Sequence, residues 1–350
     1  MNITVIKKLP PVEEIIQQFP LFEDGHRKIS RDRQEVKNIL EGSDKRFLIV
    51  VGPCSAWPKE AVLTYAQKLK KLEQELKDSL KIVMRVYVQK PRTTKGWTGP
   101  VNQPDPTEPA DIERGVRYCR EMMIKILKLG LPIADEALFT HNAKGFLELL
   151  SWVAIGARST EDQEHRIFAS AIDCAVGLKN PTSGSIEIGI NSVIAAQHSH
   201  VAVFDGQEVQ THGNPYAHLV LRGGENGSNY SLAHIEEAVT KMKKHHVRNP
   251  SLLIDASHDN SKTEGTKNHT NQIRVASEVM NMLEERPDLL RVVKGFMFES
   301  FLKEGNQNVD AVKPENINRE GLSITDPCLS WTQTEKLLSE LAAFKKSHDA

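Results

Sequence analysis

Short apolar runs, rich in Val and Ile, recur along the chain and are separated by longer stretches of mixed polarity. The runs cover residues 47–51, 82–88, 131–134, 152–157, 175–178, 218–221, 251–254 and 295–298. Their apolar residues follow one another without the alternation expected of a strand that faces water on one side. Both faces of each strand are therefore predicted to be covered, which is typical of a parallel sheet.

The stretches between the runs carry apolar residues at helical spacing and predict amphipathic helices. These helices cover residues 60–77, 112–129, 143–150, 186–196, 232–245, 271–285 and 332–346. Eight strands that alternate with helices favour a single (β/α)8 TIM barrel. A doubly wound open sheet is the alternative architecture for the same order of elements.

Two segments lie outside this repeat. Residues 1–46 form an N-terminal extension before the first strand, and the barrel is expected to span residues 47–350. Because the extension would expose apolar residues such as Val5, Ile6 and Leu9 if it stood alone, we expect it to form an oligomer contact. Residues 200–212 alternate like a β-hairpin, which predicts an extra hairpin between core strands five and six.

Composition narrows the class of protein. The 350 residues carry 45 basic and 46 acidic side chains, so the net charge gives no reason to expect a nucleic-acid or membrane partner. Every apolar run is shorter than the ~18 residues that a membrane-spanning helix needs. The first residues lack the apolar segment of a signal peptide, and the four cysteines show no pairing pattern. We therefore expect a cytoplasmic protein with reduced thiols.

Charged residues gather where the predicted strands end. In a parallel barrel all strands end at one face, where active sites are built. The cations expected at this face are Arg85, Lys90, Arg92, Arg158, Lys179 and Arg222. So many positive charges on one rim repel one another unless anions neutralise them, and Arg and Lys are the usual partners of phosphate and carboxylate. The pattern predicts a ligand with two phosphates, or with one phosphate and one carboxylate.

A second set of strand-end residues has the chemistry of metal ligands. Cys54, His258 and Glu299 follow the first, seventh and eighth strands, which are neighbours in a closed barrel, and Asp326 follows the eighth strand and can fold back over that edge. Mixed sulfur, nitrogen and oxygen ligands suit a divalent Mn, Fe, Co or Zn ion. Without the barrel, a buried Cys54 and a hydrogen-bonded His258 explain the same residues, and Asp255 is an alternative acid beside the metal.

The segments at the strand ends resemble those of a known family. They read GPCS at 52–55, RVYVQKPRTTKGW at 85–97, GARSTEDQEHR at 156–166, GLKN at 177–180, LRGG at 221–224, DASH at 255–258, ES at 299–300, EGNQ at 304–307 and SITD at 323–326. Together they are similar to class I 3-deoxy-D-arabino-heptulosonate 7-phosphate (DAHP) synthases of the short microbial type, from about residue 10 to residue 345.

The resemblance implies a transferase that condenses phosphoenolpyruvate with erythrose 4-phosphate and water and releases phosphate. This reaction opens the shikimate route to aromatic amino acids. The resemblance also implies a divalent metal ion and a homodimer or homotetramer.

The resemblance further assigns roles to residues. The implied metal ligands are Cys54, His258, Glu299 and Asp326. The implied phosphoenolpyruvate ligands are Arg85, Lys90, Arg158, Lys179 and Arg222, with Glu136 close by. The implied acceptor site holds Pro91, Arg92, Thr93, Ala157 and Ser159. The catalytic residues are expected to be Lys90 as a proton donor, Glu136 as the residue that positions water, and His258.

Two other functions compete with this one. Residues 101–109 depart from the pattern of the family on the acceptor side, so a related synthase that uses another aldose phosphate, such as arabinose 5-phosphate, is the first alternative. The second is a non-catalytic regulatory homologue. The complete set of metal-ligating residue types argues against it, because a protein without activity does not need them.

Overall fold

A closed barrel of eight parallel strands forms the centre of the computed structural model, which describes residues 1–92, 96–138, 145–309 and 311–348. In chain order the strands are β1 (Phe47–Gly52), β2 (Leu80–Arg85), β3 (Ile133–Glu136), β4 (Trp152–Ile155), β5 (Ala175–Lys179), β6 (Val201–Phe204), β7 (Gln207–Gln210), β8 (Ala217–Leu221), β9 (Leu252–Asp255), β10 (Lys262–Thr263), β11 (Thr266–Lys267) and β12 (Val293–Glu299). The barrel closes in the order β1-β12-β9-β8-β5-β4-β3-β2. The predicted (β/α)8 TIM barrel is confirmed, and the open sheet is excluded.

Two helices precede β1, and the helices that follow the barrel strands pack around the outer face of the barrel. In chain order the helices are α1 (Val12–Gln18), α2 (Gly25–Glu41), α3 (Lys59–Leu76), α4 (Ile112–Leu129), α5 (Gln163–Ala171), α6 (Ile186–Gln197), α7 (Leu232–Lys244), α8 (Asn271–Glu285) and α9 (Trp331–His348). The sequence predicted α4 and α8 to the residue. In α4 the boundaries have clear local causes, since the Asp111 side chain accepts a hydrogen bond from the Arg114 N–H and Gly130 ends the helix in a left-handed conformation.

The extra hairpin lies where the sequence predicted it. Strands β6 and β7 pair antiparallel between β5 and β8, and they form a sheet separate from the barrel. Val201 and Val203 on β6 are exposed. None of the helices in the described part of the chain combines the length and apolarity that a membrane span requires.

Helix α2 of the N-terminal extension closes one end of the barrel. Alternate residues of the strands, such as Leu48 and Val50 of β1, point into the barrel, as the two-residue period of a strand requires. Val36, Ile39 and Leu40 of α2 belong to the same buried cluster. The extension therefore supplies part of the apolar core, in addition to any contact with other subunits.

Two helix predictions were wrong. Of the helix expected over 143–150, the described residues 145–150 form only a 3-10 turn at Leu147–Leu149. Gly145 takes a left-handed conformation just before this turn, and β4 begins soon after it, so a regular helix has no room. Conversely, no helix was predicted at α5, because its nine residues hold few buried apolar positions.

The second strand also ends earlier than predicted. It stops at Arg85 instead of residue 88, because the chain then turns away to form a loop. In this loop the Ala56 N–H donates to the Tyr87 carbonyl at 2.9 Å, and the Val101 N–H donates to the Val88 carbonyl at 3.3 Å. Arg85 consequently stands at the carboxyl end of its strand.

A buried histidine sits among the strands of the barrel. The Trp152 indole N–H donates to Nε2 of His218 at 3.2 Å, and Nδ1 of His218 lies 2.8 Å from the Tyr216 carbonyl. These two partners fix a neutral ring with its proton on Nδ1. Burial lowers the pKa of His218 to about 4, because the charged ring would lose its hydration.

This histidine should make the stability of the barrel depend on pH. Its folded pKa of about 4 is below the unfolded value of 6.5. The unfolded chain therefore binds the proton first, and stability falls as the pH drops below the unfolded pKa. Between about pH 7.5 and about pH 5 the loss should be about 2 kcal/mol in the free energy of unfolding. Urea unfolding of wild type and His218→Gln at both pH values measures it. If the two proteins lose the same free energy, His218 does not carry this dependence.

Candidate active site

A polar cavity of about 620 Å³ opens at the carboxyl ends of the barrel strands. The sequence-predicted residues that line it are Cys54, Lys90, Pro91, Arg92, Glu136, Ala157, Arg158, Lys179, Arg222, His258 and Asp326. Arg85, Ser159 and Glu299 are buried without being part of its lining. Thr93 lies outside the described residues. The fold thus brings together, on one cavity, side chains that are far apart in the sequence.

Three predicted metal ligands converge. One atom each from Cys54, Glu299 and Asp326 lies within 4.8 Å of the other two. Cys54 follows β1, Glu299 ends β12, and Asp326 lies in the segment that returns to the barrel after β12. Strands β1 and β12 pair directly, with Gly52 beside Glu299, which explains how the chain brings the first two together. A thiol with two carboxylates is a donor set that fits a first-row divalent metal ion.

His258 stands next to this group but is not part of it. Its Nε2 lies 3.7 Å from Oε1 of Glu299, whereas its Nδ1 lies 2.9 Å from Oδ2 of Asp255. The residue opens a 3-10 turn and has a φ of 55°, an uncommon conformation for a side chain other than glycine. The same Oδ2 of Asp255 also lies 3.0 Å from Nζ of Lys179.

Glu299 is held by partners on every side. Oε1 accepts from Nη2 of Arg85 at 3.0 Å, and Oε2 accepts from the Ser257 hydroxyl at 2.8 Å. The Gln272 side chain clamps the backbone of Glu299, since its Oε1 accepts from the N–H at 2.8 Å and its Nε2 donates to the carbonyl at 3.0 Å. Burial alone would raise the pKa of Glu299, but the electrostatic influence of His258, Arg85 and Lys90 holds it well below the usual range. Glu299 is an ionised, rigidly placed carboxylate.

The environment of Cys54 favours the protonated form of its thiol. Burial, followed by the negative charge of Glu299, raises the pKa of Cys54 to about 11. A metal ion bound at this position would displace the proton, because a coordinating cysteine binds as thiolate. The carbonyl of Cys54 accepts a hydrogen bond from Nζ of Lys90 at 2.6 Å, which ties this strand end to the loop after β2.

Arg85 and Lys90 flank a buried tyrosine. The Arg85 guanidinium lies 4.0 Å from the centroid of the Tyr87 ring, and Nζ of Lys90 lies 5.5 Å from it. Nη1 of Arg85 and the Tyr87 hydroxyl are buried and have no hydrogen-bond partner among the residues that the structure describes. Burial lowers the pKa of Lys90, but nearby Cys54 and the carboxylates of Glu299 and Glu136 raise it by more, so its amine stays protonated. The site therefore holds unused donors next to the cavity.

Two further cations are fixed by aspartates. Nζ of Lys179 lies 3.0 Å from Oδ2 of Asp255, and both residues are buried. Nη1 of Arg222 pairs with Asp259. Nε of Arg222 is buried and has no hydrogen-bond partner in the described part of the chain. Oδ1 of Asn180 accepts from the backbone N–H of Arg222 at 2.9 Å and holds the backbone of Arg222 beside the end of β5. These pairs orient the cations and leave donor groups available to a ligand.

Glu136 depends on a glycine for its space. A Cβ at position 156 would come within 2.3 Å of Oε1 of Glu136, so Gly156 leaves the room that the carboxylate occupies. The loop after Gly156 turns tightly, since the Ser159 N–H donates to the Gly156 carbonyl at 2.9 Å. This turn carries Ala157 and Arg158 to the cavity lining.

Sequence reasoning missed two cations of the site, Lys262 and Lys267. Strands β10 and β11 form a short hairpin after His258, and Lys267 at its end pairs with Asp326 and lines the cavity. Burial and the charge of Glu299 raise the pKa of Asp326, but Lys267 and His258 hold it below the usual value. The Glu264-Gly265 step, with positive φ at both residues, is the local signal that could have predicted this hairpin.

A (β/α)8 barrel with clustered cations beside three converging metal-ligand atoms has the layout of an enzyme for anionic substrates. Residues 26–339 match the model of the DAHP synthetase I family. The chain is 39% identical to the Tyr-sensitive phospho-2-dehydro-3-deoxyheptonate aldolase of Salmonella typhimurium, over 97% of this chain and 94% of that protein. It is 38% identical to the phospho-2-dehydro-3-deoxyheptonate aldolase of Corynebacterium glutamicum, over 98% and 93%.

A solved structure agrees with these sequence matches. The phospho-2-dehydro-3-deoxyheptonate aldolase of Francisella tularensis superposes with a TM-score of 0.92 at 35% identity, and covers 99% of both chains. The chain belongs to the DAHP synthetase I family. The resemblance stated from the strand-end segments is confirmed, and so is the expectation that the protein is an enzyme.

Proposed function

We propose that this enzyme catalyses the metal-dependent condensation of phosphoenolpyruvate with erythrose 4-phosphate and water to DAHP and phosphate. One observation carries the proposal: buried cations line the same cavity as the convergent Cys54, Glu299 and Asp326. Phosphoenolpyruvate brings a phosphate and a carboxylate, and the acceptor brings a second phosphate. Each of these three anionic groups can be met by two or more of the cations that line the cavity.

Cys54, Glu299 and Asp326 would hold the metal ion, with His258 as the fourth ligand. Nε2 of His258 lies 3.7 Å from Oε1 of Glu299, so the ring stands directly beside the other three ligands. Once bound, the ion supplies Lewis acidity that polarises the aldehyde of the acceptor. Mn, Fe, Co and Zn all suit this mixture of ligands.

Arg85, Lys179 and Arg222 would bind phosphoenolpyruvate together with Lys90 and Arg158. The buried Nη1 of Arg85 and Nε of Arg222 support this role, because each carries a hydrogen that no acceptor within the described ranges takes up. Asp255 and Asp259 hold Lys179 and Arg222 in place before the substrate arrives, which reduces the entropy lost on binding.

Lys90 would give a proton to the new hydroxyl group of the product. Its amine is protonated, buried and 2.6 Å from the carbonyl of Cys54, so it is held beside the metal ligands. Glu136, across the same cavity, would position the water that attacks C2 of phosphoenolpyruvate. Both groups would act in a site that limits access of bulk water, where such transfers are most effective.

Pro91, Arg92, Ala157 and Ser159 would form the acceptor side, together with Thr93. Arg92 lines the cavity and is exposed, as expected of a cation that meets a phosphate at the mouth of a site. The departure of residues 101–109 from the family pattern makes arabinose 5-phosphate the acceptor to compare with erythrose 4-phosphate.

We also propose that the enzyme is a homodimer or homotetramer, with residues 1–46 at the contact. Ile3, Val5 and Ile6 expose between 70% and 94% of their surface, a cost in water that a second subunit would remove. A cytoplasmic location fits the same proposal, because a cysteine ligand must remain reduced.

Phosphate release tests the function directly. With phosphoenolpyruvate, erythrose 4-phosphate and Mn²⁺, we expect release that stops with EDTA and returns when Mn²⁺ is restored. Parallel reactions with arabinose 5-phosphate identify the acceptor. Faster release with arabinose 5-phosphate would make the enzyme a different synthase of the same reaction type. No release with any aldose phosphate would favour the non-catalytic homologue.

Co²⁺ spectroscopy tests the metal site. Bound to wild type, Co²⁺ should show a near-ultraviolet thiolate charge-transfer band, which Cys54→Ala should lose together with at least about tenfold in affinity. Cys119→Ala is the matched control, because Cys119 is equally buried but lies in α4 away from the cavity. A band that survives in Cys54→Ala would show that another residue supplies the sulfur.

Lys90→Met tests the proton donor. Removal of the amine should lower kcat by about a thousandfold, within the usual contribution of general acid catalysis. The Co²⁺ band should be retained, because the amine of Lys90 donates to the carbonyl of Cys54 and not to its thiol. Lys303→Met, at an exposed ion pair outside the cavity, should keep normal turnover. Near-normal turnover of Lys90→Met would rule out this role.

A further inference from the structure

A second basic cavity lies at the opposite end of the barrel. It has a volume of about 440 Å³ and is bounded by the end of α2, the starts of β1 and β12, and the last turn of α9. Strand β1 runs from this cavity at Phe47 to the active face at Gly52, a distance of about 17 Å at 3.3 Å per residue. The two cavities are therefore separate sites.

A buried lysine without a partner faces this second cavity. Lys294 is only 9% exposed, and no described residue gives it a hydrogen bond or an ion pair. A Cβ at Gly42 would lie 3.3 Å from its Nζ, so the amine sits directly beneath the end of α2. Lys345, which is 5% exposed, lines the same cavity. Burial and the charge of Lys345 both lower the pKa of Lys294, as expected for like charges in a confined space.

The charges around the cavity do not balance. Five cationic side chains line it, against the two carboxylates of Glu41 and Asp44, an excess of three positive charges with histidine neutral. Those cations are Lys45, Arg46, Arg291, Lys294 and Lys345. Asp44 is already bound to Arg46, and Glu41 accepts from the Tyr216 hydroxyl. These two carboxylates therefore have other partners, and neither pairs with Lys294.

We propose that this cavity is a binding site for a small phosphate monoester. A dianion matches the excess charge better than a single carboxylate does, and Lys and Arg are the side chains that proteins use to bind phosphate. The volume lies in the range of small-molecule sites. Phe47, Leu290 and Val293 add an apolar wall against which the organic part of the ligand can pack.

A structural explanation competes with this proposal. Helices α2 and α9 both end at the cavity, and the partial negative charge of a helix C-terminus stabilises nearby cations. If that were the whole role of Lys294, its amine would behave in the same way whether phosphate or chloride was present. The two explanations therefore differ in a measurable property of one side chain.

Competitive acetylation of lysines, read by mass spectrometry at each site, makes this measurement. The full-length protein is treated with a trace of acetic anhydride in phosphate or glycerol 3-phosphate, and in chloride of the same ionic strength. At a concentration ten times the dissociation constant, a bound phosphate should slow acetylation of Lys294 about tenfold. Lys303, which is exposed and paired with Glu320, should react equally in all buffers.

A variant assigns the protection to this cavity. Arg291→Gln removes one exposed cation from the wall, so the phosphate concentration that protects Lys294 should rise several-fold. Protection of Lys179, at the active face, should not change. Equal acetylation of Lys294 in phosphate and chloride would overturn the proposal. So would a Lys294 that never reacts, which would mean that solutes cannot enter, or protection that is undiminished in Arg291→Gln.

Discussion

The carboxylate of Glu299 is the charge on which the arrangement of the active face depends. It neutralises the fully buried Arg85, lies beside His258, and contributes to the group formed with Cys54 and Asp326. A buried guanidinium without such a partner would cost several kcal/mol. The same oxygen atoms thus stabilise the cation that would meet a substrate and lie where a metal ion would bind, so the two halves of the site cannot be placed independently.

Closure of the barrel turns this local constraint into a site. Strands β1 and β12 pair in register, which puts the residues after them on one edge, and Gln272 of α8 fixes the backbone of Glu299 through two hydrogen bonds. Around this fixed point, Asp255 and Asp259 each hold one cation in position. The like charges of Arg85, Lys90, Lys179 and Arg222 are tolerated because each of these cations has a carboxylate or carbonyl within reach and because the remaining donors are available to anions.

Much of this could be predicted from the sequence, for physical reasons. Strands covered on both faces must be continuously apolar, so the barrel strands were recognisable, and residues directly after them had to share one face. Tertiary contacts were harder to predict. The orientation of His258 depends on a backbone conformation that its residue type does not favour, and Lys267 reaches the site through a hairpin of only six residues. The nine residues of α5 were too few to show a helical period.

Helix α2 limits how the N-terminal segment of this protein can be removed or exchanged. Its residues Val36, Ile39 and Leu40 share a cluster with the strand residues inside the barrel, so the N-terminal extension covers the end of the barrel core. A chain that started at Phe47 would expose the inward-pointing strand residues to water at that end, and other apolar side chains would have to cover them. Exchange of N-terminal segments between relatives therefore demands matched barrel interiors. Substitutions in the extension and in the barrel core are therefore expected to depend on one another, because their side chains pack in one cluster.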